Sequence, residues 1–534
     1  LKNNFSKVKL SSVILTLLIS APAIIIFLYL FIGHSDNWQH IKDNLLFTYA
    51  TNSLYIMVGV AVLTTLLGFS TAYLTSLFTF RFSRFFHYAL ILPFAIPTYI
   101  IAFIYGGMFN VAGTVTQFIL HLIGKNITEV PFYDIMSIQG AILVMSFVLY
   151  PYVYLICKSY LSFESASIID AAKTFNLSSW QILIKVILPI CRPAIIAGVT
   201  LAVMEAVSDF GVMDFFGVNT FVTGIFKTWY GMGSVDDAAK LASILMSFVF
   251  LLIVLERIQR RNKVFKSSGK DFKPIEKTKL TGFKAFIAIL ICFIPFFFGF
   301  LLPVTQLIYW FAITYKEIID DDFIQVLYQT LILAIVSATI ITSMALLFVY
   351  NVRKNKDKTS SFLTQVVKLG YSIPGAVIAV GILSFFAIID KYVIDIFTSS
   401  YIISGTIIAV VFGYCVRFLA VGINNFEAGF TRIPQTYDDA AKVLDVDEKR
   451  TFFTIFAPLI KTSAFSAFII IFIEVIKELP LTMILRPFNY DTLSIMALEL
   501  TKQSQLAESA VPSMFILIIG MISVLLLAKN INKA

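Results

Sequence analysis

Long apolar runs alternate with short polar segments from one end of the chain to the other. Twelve such runs lie at 10–32, 52–78, 86–109, 136–157, 186–209, 238–256, 283–313, 324–350, 366–389, 401–422, 457–485 and 510–528. Each is about as long as the roughly 20 residues that carry a helix across a bilayer. Helices are expected because they satisfy their own backbone hydrogen bonds in hydrocarbon. No stretch shows the residue-by-residue alternation of a membrane β-barrel. The pattern predicts an all-α polytopic membrane protein of about twelve transmembrane helices. The first run follows Lys2, Lys7 and Lys9 and contains Ala21-Pro22-Ala23, a faint cleavage-site pattern. It is too long for a signal-peptide core, so it is expected to remain as a first span with its N-terminus in the cytoplasm.

The polar segments orient these spans. Segments expected inside carry Arg81 and Arg84, then Lys158, Lys173 and Lys185, then Arg353, Lys354, Lys356 and Lys358. Those expected outside carry Asp236 and Asp237, or Glu317, Asp320, Asp321 and Asp322. Basic residues gather on the cytoplasmic side of membrane proteins, and the even span count puts both termini there. Residues 257–282 form the one long polar stretch within the chain and are rich in Lys and Arg. They are expected to be a cytoplasmic linker, either binding anionic lipid or simply solvated.

Composition sharpens this picture. Hydrophobic residues make up 58% and charged residues 14%, whereas a soluble domain is roughly half apolar and a quarter charged. The net charge of +9 resides in short loops, which marks orientation and membrane lipid contact; no nucleic-acid partner is expected. Cys157, Cys191, Cys292 and Cys415 form no CxxC pair, so neither a zinc site nor a disulfide framework is indicated. His34, His40, His87 and His121 have no metal-ligand spacing, and no nucleophile–base motif is present. An enzyme is therefore not expected.

The chain repeats itself. Ser167-Ile168-Ile169-Asp170-Ala171-Ala172-Lys173 matches Thr436-Tyr437-Asp438-Asp439-Ala440-Ala441-Lys442 at an offset of 269. That offset also carries Pro189 onto Pro458, Glu205 onto Glu474 and Asp209 onto Glu478. Nearer the start of each half, Asn52-Ser53-Leu54 matches Gln329-Thr330-Leu331, and Ile96-Pro97 matches Ile373-Pro374, at an offset of 277. Two parallel six-helix halves are expected, 1–256 and 283–534, related by an axis along the membrane normal. A pathway between such halves is what a transporter needs.

Each repeat contains a short amphipathic helix. Ile168, Ala171, Ala172 and Phe175 make one apolar stripe, which Tyr437, Ala440, Ala441 and Leu444 duplicate. Ser167 with Asp170, and Thr436 with Asp439, have the spacing of a capping box. Asn176 and Asp445 follow where the chain must turn, and both residue types tolerate left-handed backbone. Such helices often merely lie at the membrane interface, but two copies in register argue for more.

The two segments resemble the EAA loop of binding-protein-dependent ATP-binding-cassette (ABC) permeases, whose pattern is E-A-A-x3-G-x9-I-x-L-P. Here it reads Asp170-Ala171-Ala172, Asn176 and Val186-Ile187-Leu188-Pro189 near 164–189. Its second copy is Asp439-Ala440-Ala441, Asp445 and Ile455-Phe456-Ala457-Pro458 near 433–458. Spacing is kept; Asp replaces Glu, Asn or Asp replaces Gly, and Ala457 replaces Leu. The resemblance covers all 534 residues as two six-helix halves. It implies that these residues couple to two copies of a separate ABC ATPase, and that an external binding protein, periplasmic or lipid-anchored, delivers the cargo. The chain has no GxxxxGK[ST] phosphate loop, so no cofactor is expected on it and ATP is used by the partner subunit.

One-chain permeases of this family typically serve ferric iron, thiamine and some phosphonates. The stretch from Lys477 to Phe488, Asp209-Phe210-Gly211, and the stretch from Phe215 to Tyr230 look most like the ferric-iron group. Ferric iron is a hard cation that favours oxygen ligands. Glu205, Asp209, Glu474 and Glu478 occupy equivalent places near the expected outer ends of spans five and eleven. Ionisable residues within spans usually face a pathway or a partner. These four either line the translocation path or dock the binding protein, or Lys477 simply neutralises a neighbouring acid; which residues would hold a metal is not given by the sequence. Arg417 is expected to snorkel or to pair helices. The competing classes are a thiamine or phosphonate permease, an ion-coupled secondary transporter, and a membrane enzyme or scaffold.

Overall fold

The computed structural model describes residues 2–31, 36–129, 134–163, 178–261, 277–355, 357–391 and 403–531. Among them, nine helices are long and apolar enough to cross a membrane. Two further helix pairs, each bent at a break, would bring the number to eleven. These correspond to the first eleven expected spans. The twelfth is the helix Ala510–Ile531.

The expected third and ninth spans are not continuous. Ser83–Ala95 meets Thr98–Met108 at 91°, and Lys358–Ser372 meets Gly375–Ile389 at 114°. Both breaks fall at Ile-Pro. A residue before proline is pushed out of the helical region, and Ile96 (φ −99°, ψ 128°) and Ile373 (φ −87°, ψ 129°) are extended. Proline then starts the next helix, where its missing N–H costs nothing. Proline alone does not decide this, because Pro22, Pro151, Pro193 and Pro295 lie inside helices that continue. The expected span 457–485 is also corrected: its helix ends at Lys477, Glu478 is extended, and Pro480–Leu485 is a separate helix.

Each half is built on the same three helices. Leu46–Leu77 and Leu188–Ser208 pack on Ile138–Phe163, as Asp321–Asn355 and Ala457–Lys477 pack on Ile407–Thr431. Small residues permit this closeness. A Cβ on Gly68 would lie 2.8 Å from the Tyr150 carbonyl, and one on Gly198 would lie 2.6 Å from Val153 Cα. The halves also exchange elements. Lys2–Leu28 packs on Gly375–Ile389, while Gly282–Phe296 packs on Leu46–Leu77 and Ser83–Ala89.

A two-residue parallel pairing joins Phe78–Thr79 to Thr278–Lys279. Lys277 Nζ donates to the Thr75 carbonyl at 2.8 Å, so the end of the linker lies against the end of Leu46–Leu77.

Candidate functional site

The first proline break opens on a cavity. Its volume is about 100 Å³, and it is lined by Pro97, Thr98 and Tyr99 of the first break together with Glu205, Asp209, Glu474, Glu478, Arg417 and Lys477. A space of that size has room for several waters. A smaller recess of about 10 Å³ shares Tyr152, Glu205, Ser208 and Arg417 and adds Tyr371. All four carboxylates singled out in the sequence thus meet at one place.

Local chain geometry holds them there. The helix Leu188–Ser208 ends because Asp209 is extended (φ −81°, ψ 107°), and its side chain caps the next helix, Phe210–Phe215, by accepting from the Val212 amide at 2.9 Å. Asp209 also accepts from the Thr98 hydroxyl at the start of Thr98–Met108. Glu478 repeats this arrangement: it is extended (φ −69°, ψ 121°), and its Oε1 accepts from the Leu481 amide at 3.0 Å. Helix N-termini carry partial positive charge and favour carboxylates, and broken helices at transport sites use that property.

The cations are distributed differently. Arg417 lies in the middle of Ile407–Thr431, where its Nε is 3.2 Å from Glu478 Oε2, with both side chains almost wholly buried. It therefore pairs helices rather than snorkelling. Its Nη1 is buried without a hydrogen-bond partner among the described residues. A Cβ on Gly375 would run into that Nη1 and would lie 2.7 Å from Glu478 Oε1, so glycine is needed for the pair to approach the break. Lys477 Nζ donates to the Phe94 carbonyl at 3.0 Å, a bond from one half to the other. No group of three or more His, Cys, Asp or Glu side chains is placed to hold a metal ion, among the described residues.

A second feature lies at the far end of the second half. Thr436–Val443 is a helix. The Gln435 carbonyl accepts from the Asp438 and Asp439 amides at 3.0 and 3.2 Å, so Thr436 sits inside the first turn instead of capping it. Asp445 turns the chain with φ of +50°, as its residue type allows. Ala441 is buried, while Tyr437, Asp439, Ala440, Val443 and Leu444 are exposed. The helix therefore presents an uncovered, largely apolar face. Asp170, Ala171, Ala172 and Asn176 lie outside the described residues.

A family model described as "Binding-protein-dependent transport system inner membrane component" matches this chain twice, over residues 64–262 and 348–534. The chain belongs to that family. It is thus a multi-pass inner-membrane permease subunit of an ABC importer. Over 97% of this permease and 98% of the relative, it is 23% identical to the Fe(3+)-transport system permease protein FbpB 2 of Haemophilus influenzae. It is 23% identical to the ferric transport system permease protein FbpB of Actinobacillus pleuropneumoniae over 79% of this chain and 62% of that one. A putative ferric transport system permease, FbpB 1 of Haemophilus influenzae, is 22% identical over 79% of this chain and 68% of its own.

The internal repeat extends into structural detail of the permease. Pro189 and Pro458 are each the second residue of a helix that follows a π-helical turn, Leu183–Ile187 and Phe452–Phe456. Sequence reasoning missed Thr98, Gly375 and the Lys477 contact, and it treated Arg353 only as an orientation charge. The repeat did carry a signal for two of these, since an offset of 277 sets Thr98 against Gly375 directly after the paired prolines.

Proposed function

We propose that this permease moves ferric iron, delivered by an external binding protein, into the cytoplasm by alternating access driven by two ATPase subunits. The ferric assignment is carried chiefly by the relative named for Fe(3+) transport, whose likeness runs through nearly the whole of both chains. The chemistry of the cavity supports it: four carboxylates face two cations, and oxygen donors suit a hard trivalent ion. Because the four do not converge as a closed ligand set, they serve as successive oxygen contacts along a path rather than as a storage site. The discontinuous helices beside them give the path a place to open and close when the halves rock.

The helix Thr436–Val443 and its counterpart around Asp170, Ala171, Ala172 and Asn176 are the coupling elements, one ATPase seated on each. The exposed face of Tyr437, Ala440, Val443 and Leu444 is the support for this in the second half. ATP is bound and hydrolysed on the partner subunits, and the coupling helices and both termini face the cytoplasm.

Uptake of labelled ferric iron and labelled thiamine, in cells with and without this permease, tests the cargo. Loss of iron uptake alone is expected. Loss of thiamine uptake alone would overturn the ferric assignment, and no change in either would leave the cargo to another solute.

A further inference from the structure

Arg353 is the penultimate basic residue of the helix Asp321–Asn355, and all five of its N–H donors are engaged. Nε and Nη2 donate to Asp438 Oδ2 at 3.1 and 2.7 Å. Nη1 donates to the Phe430 and Ile433 carbonyls at 3.0 and 3.1 Å, and Nη2 also donates to the Pro434 carbonyl at 3.2 Å. The guanidinium carbon lies 5.3 Å from the centroid of the Phe430 ring and 5.0 Å from that of Phe456. One side chain thereby joins four elements: its own helix, the end of Ile407–Thr431 with the segment that follows it, the π-helical turn that enters Ala457–Lys477, and the helix Thr436–Val443. Only a planar fork of donors serves so many acceptors at fixed angles; lysine is a point charge with three.

We propose that Arg353 is the positioning residue that carries movement of the coupling helix Thr436–Val443 into the membrane helices of the second half. The proposal rests on the reading that an ATPase docks on this helix. The docking face is the exposed one, whereas Asp438 points the opposite way, into the Arg353 fork, with a side chain only 20% exposed. A displacement imposed from outside therefore meets a rigid link on the inner side. The link belongs to the second half. By the two repeat offsets, Arg353 corresponds to Ser76 and Asp438 to Ile169, and isoleucine has no group to accept from a guanidinium.

The test uses the whole complex, with its ATPase and loaded binding protein, reconstituted in vesicles. Asp438→Asn weakens the link while leaving Arg353 on its three carbonyls, and Asp438→Glu restores a carboxylate. The ATPase is expected to co-purify unchanged with Asp438→Asn. Iron taken up per ATP hydrolysed should fall about tenfold, and Asp438→Glu should recover most of it. Unchanged uptake per ATP would overturn the proposal. So would loss of the ATPase from the complex, which would make Asp438 a docking residue. A lowered melting temperature with uptake falling only in proportion to folded protein would make the link a staple of the fold, and the proposal would again fail. Failure of the unaltered complex to retain an ATPase or import iron would instead overturn the underlying reading, and the proposal with it.

Discussion

The two halves of this permease share their carboxylates but not their cations. Glu205 and Asp209 face Glu474 and Glu478 across one cavity, each acid at the offset the repeat dictates. Arg417 and Lys477 have Val148 and Ser208 at the corresponding first-half positions. The acid in one half therefore rests on hydroxyl and amide donors, and its counterpart rests on an amide and a guanidinium. A carboxylate that only accepts hydrogen bonds can change partners as helices shift. One locked to a buried arginine holds its helices together until something replaces the arginine. The repeat thus supplies matched oxygen donors, and the arginine makes the second half the firmer anchor.

Breaking the anchor should have the largest effect. Arg417→Met leaves Glu478 buried beside no cation and should cost about 3–5 kcal/mol, while Asp209→Asn, which keeps an acceptor for Thr98, should cost about 1 kcal/mol or less. Melting of the detergent-purified variants measures both, and equal losses would erase the contrast between the halves. Crowding comes next. Gly375→Ala drives a methyl group into Arg417 Nη1, for an expected loss of about 1–3 kcal/mol. Thr98→Ala, at the matching place, removes a single hydroxyl bond worth about 1 kcal/mol, and a larger loss there would mean that the first break is the stricter one.

The contact between the halves is a weaker handle. Lys477→Met gives up the bond to the Phe94 carbonyl but relieves a buried charge, so about 1 kcal/mol is expected. Ser208→Ala should stay within about 0.5 kcal/mol. The same melting curves decide this, and a greater loss from serine would reverse the assignment of the inter-half tie. The smallest difference is expected where the halves agree. Glu205→Gln and Glu474→Gln should slow labelled iron uptake to within about twofold of each other, and a strong disparity would show that only one acid touches the cargo.

Much of this was legible in the chain. Apolar runs located eleven of the spans, with boundaries off by up to nine residues, because bilayer thickness imposes length directly on sequence. The repeat pairs Glu205 with Glu474 and Asp209 with Glu478, and the residue type of Asp445 marks a turn. The broken spans were not legible. The repeat set Pro97 and Pro374 apart from Pro151 and Pro193 without saying that they break their helices, since that depends on which neighbours can satisfy the freed backbone groups. The capping box at Thr436 looked sound, yet the first turn begins a residue earlier.

By itself the sequence determined a helical, twofold membrane protein with duplicated acids and a duplicated amphipathic pattern, because hydrophobic length, residue spacing and internal offsets are properties of one dimension. Tertiary structure alone decided that the acids share a cavity, that Arg417 serves Glu478 instead of the membrane surface, and that Arg353 grips Asp438. Those outcomes depend on distances between residues tens to hundreds of positions apart. A buried charge takes whichever partner the packing brings within reach, and no local pattern records that choice.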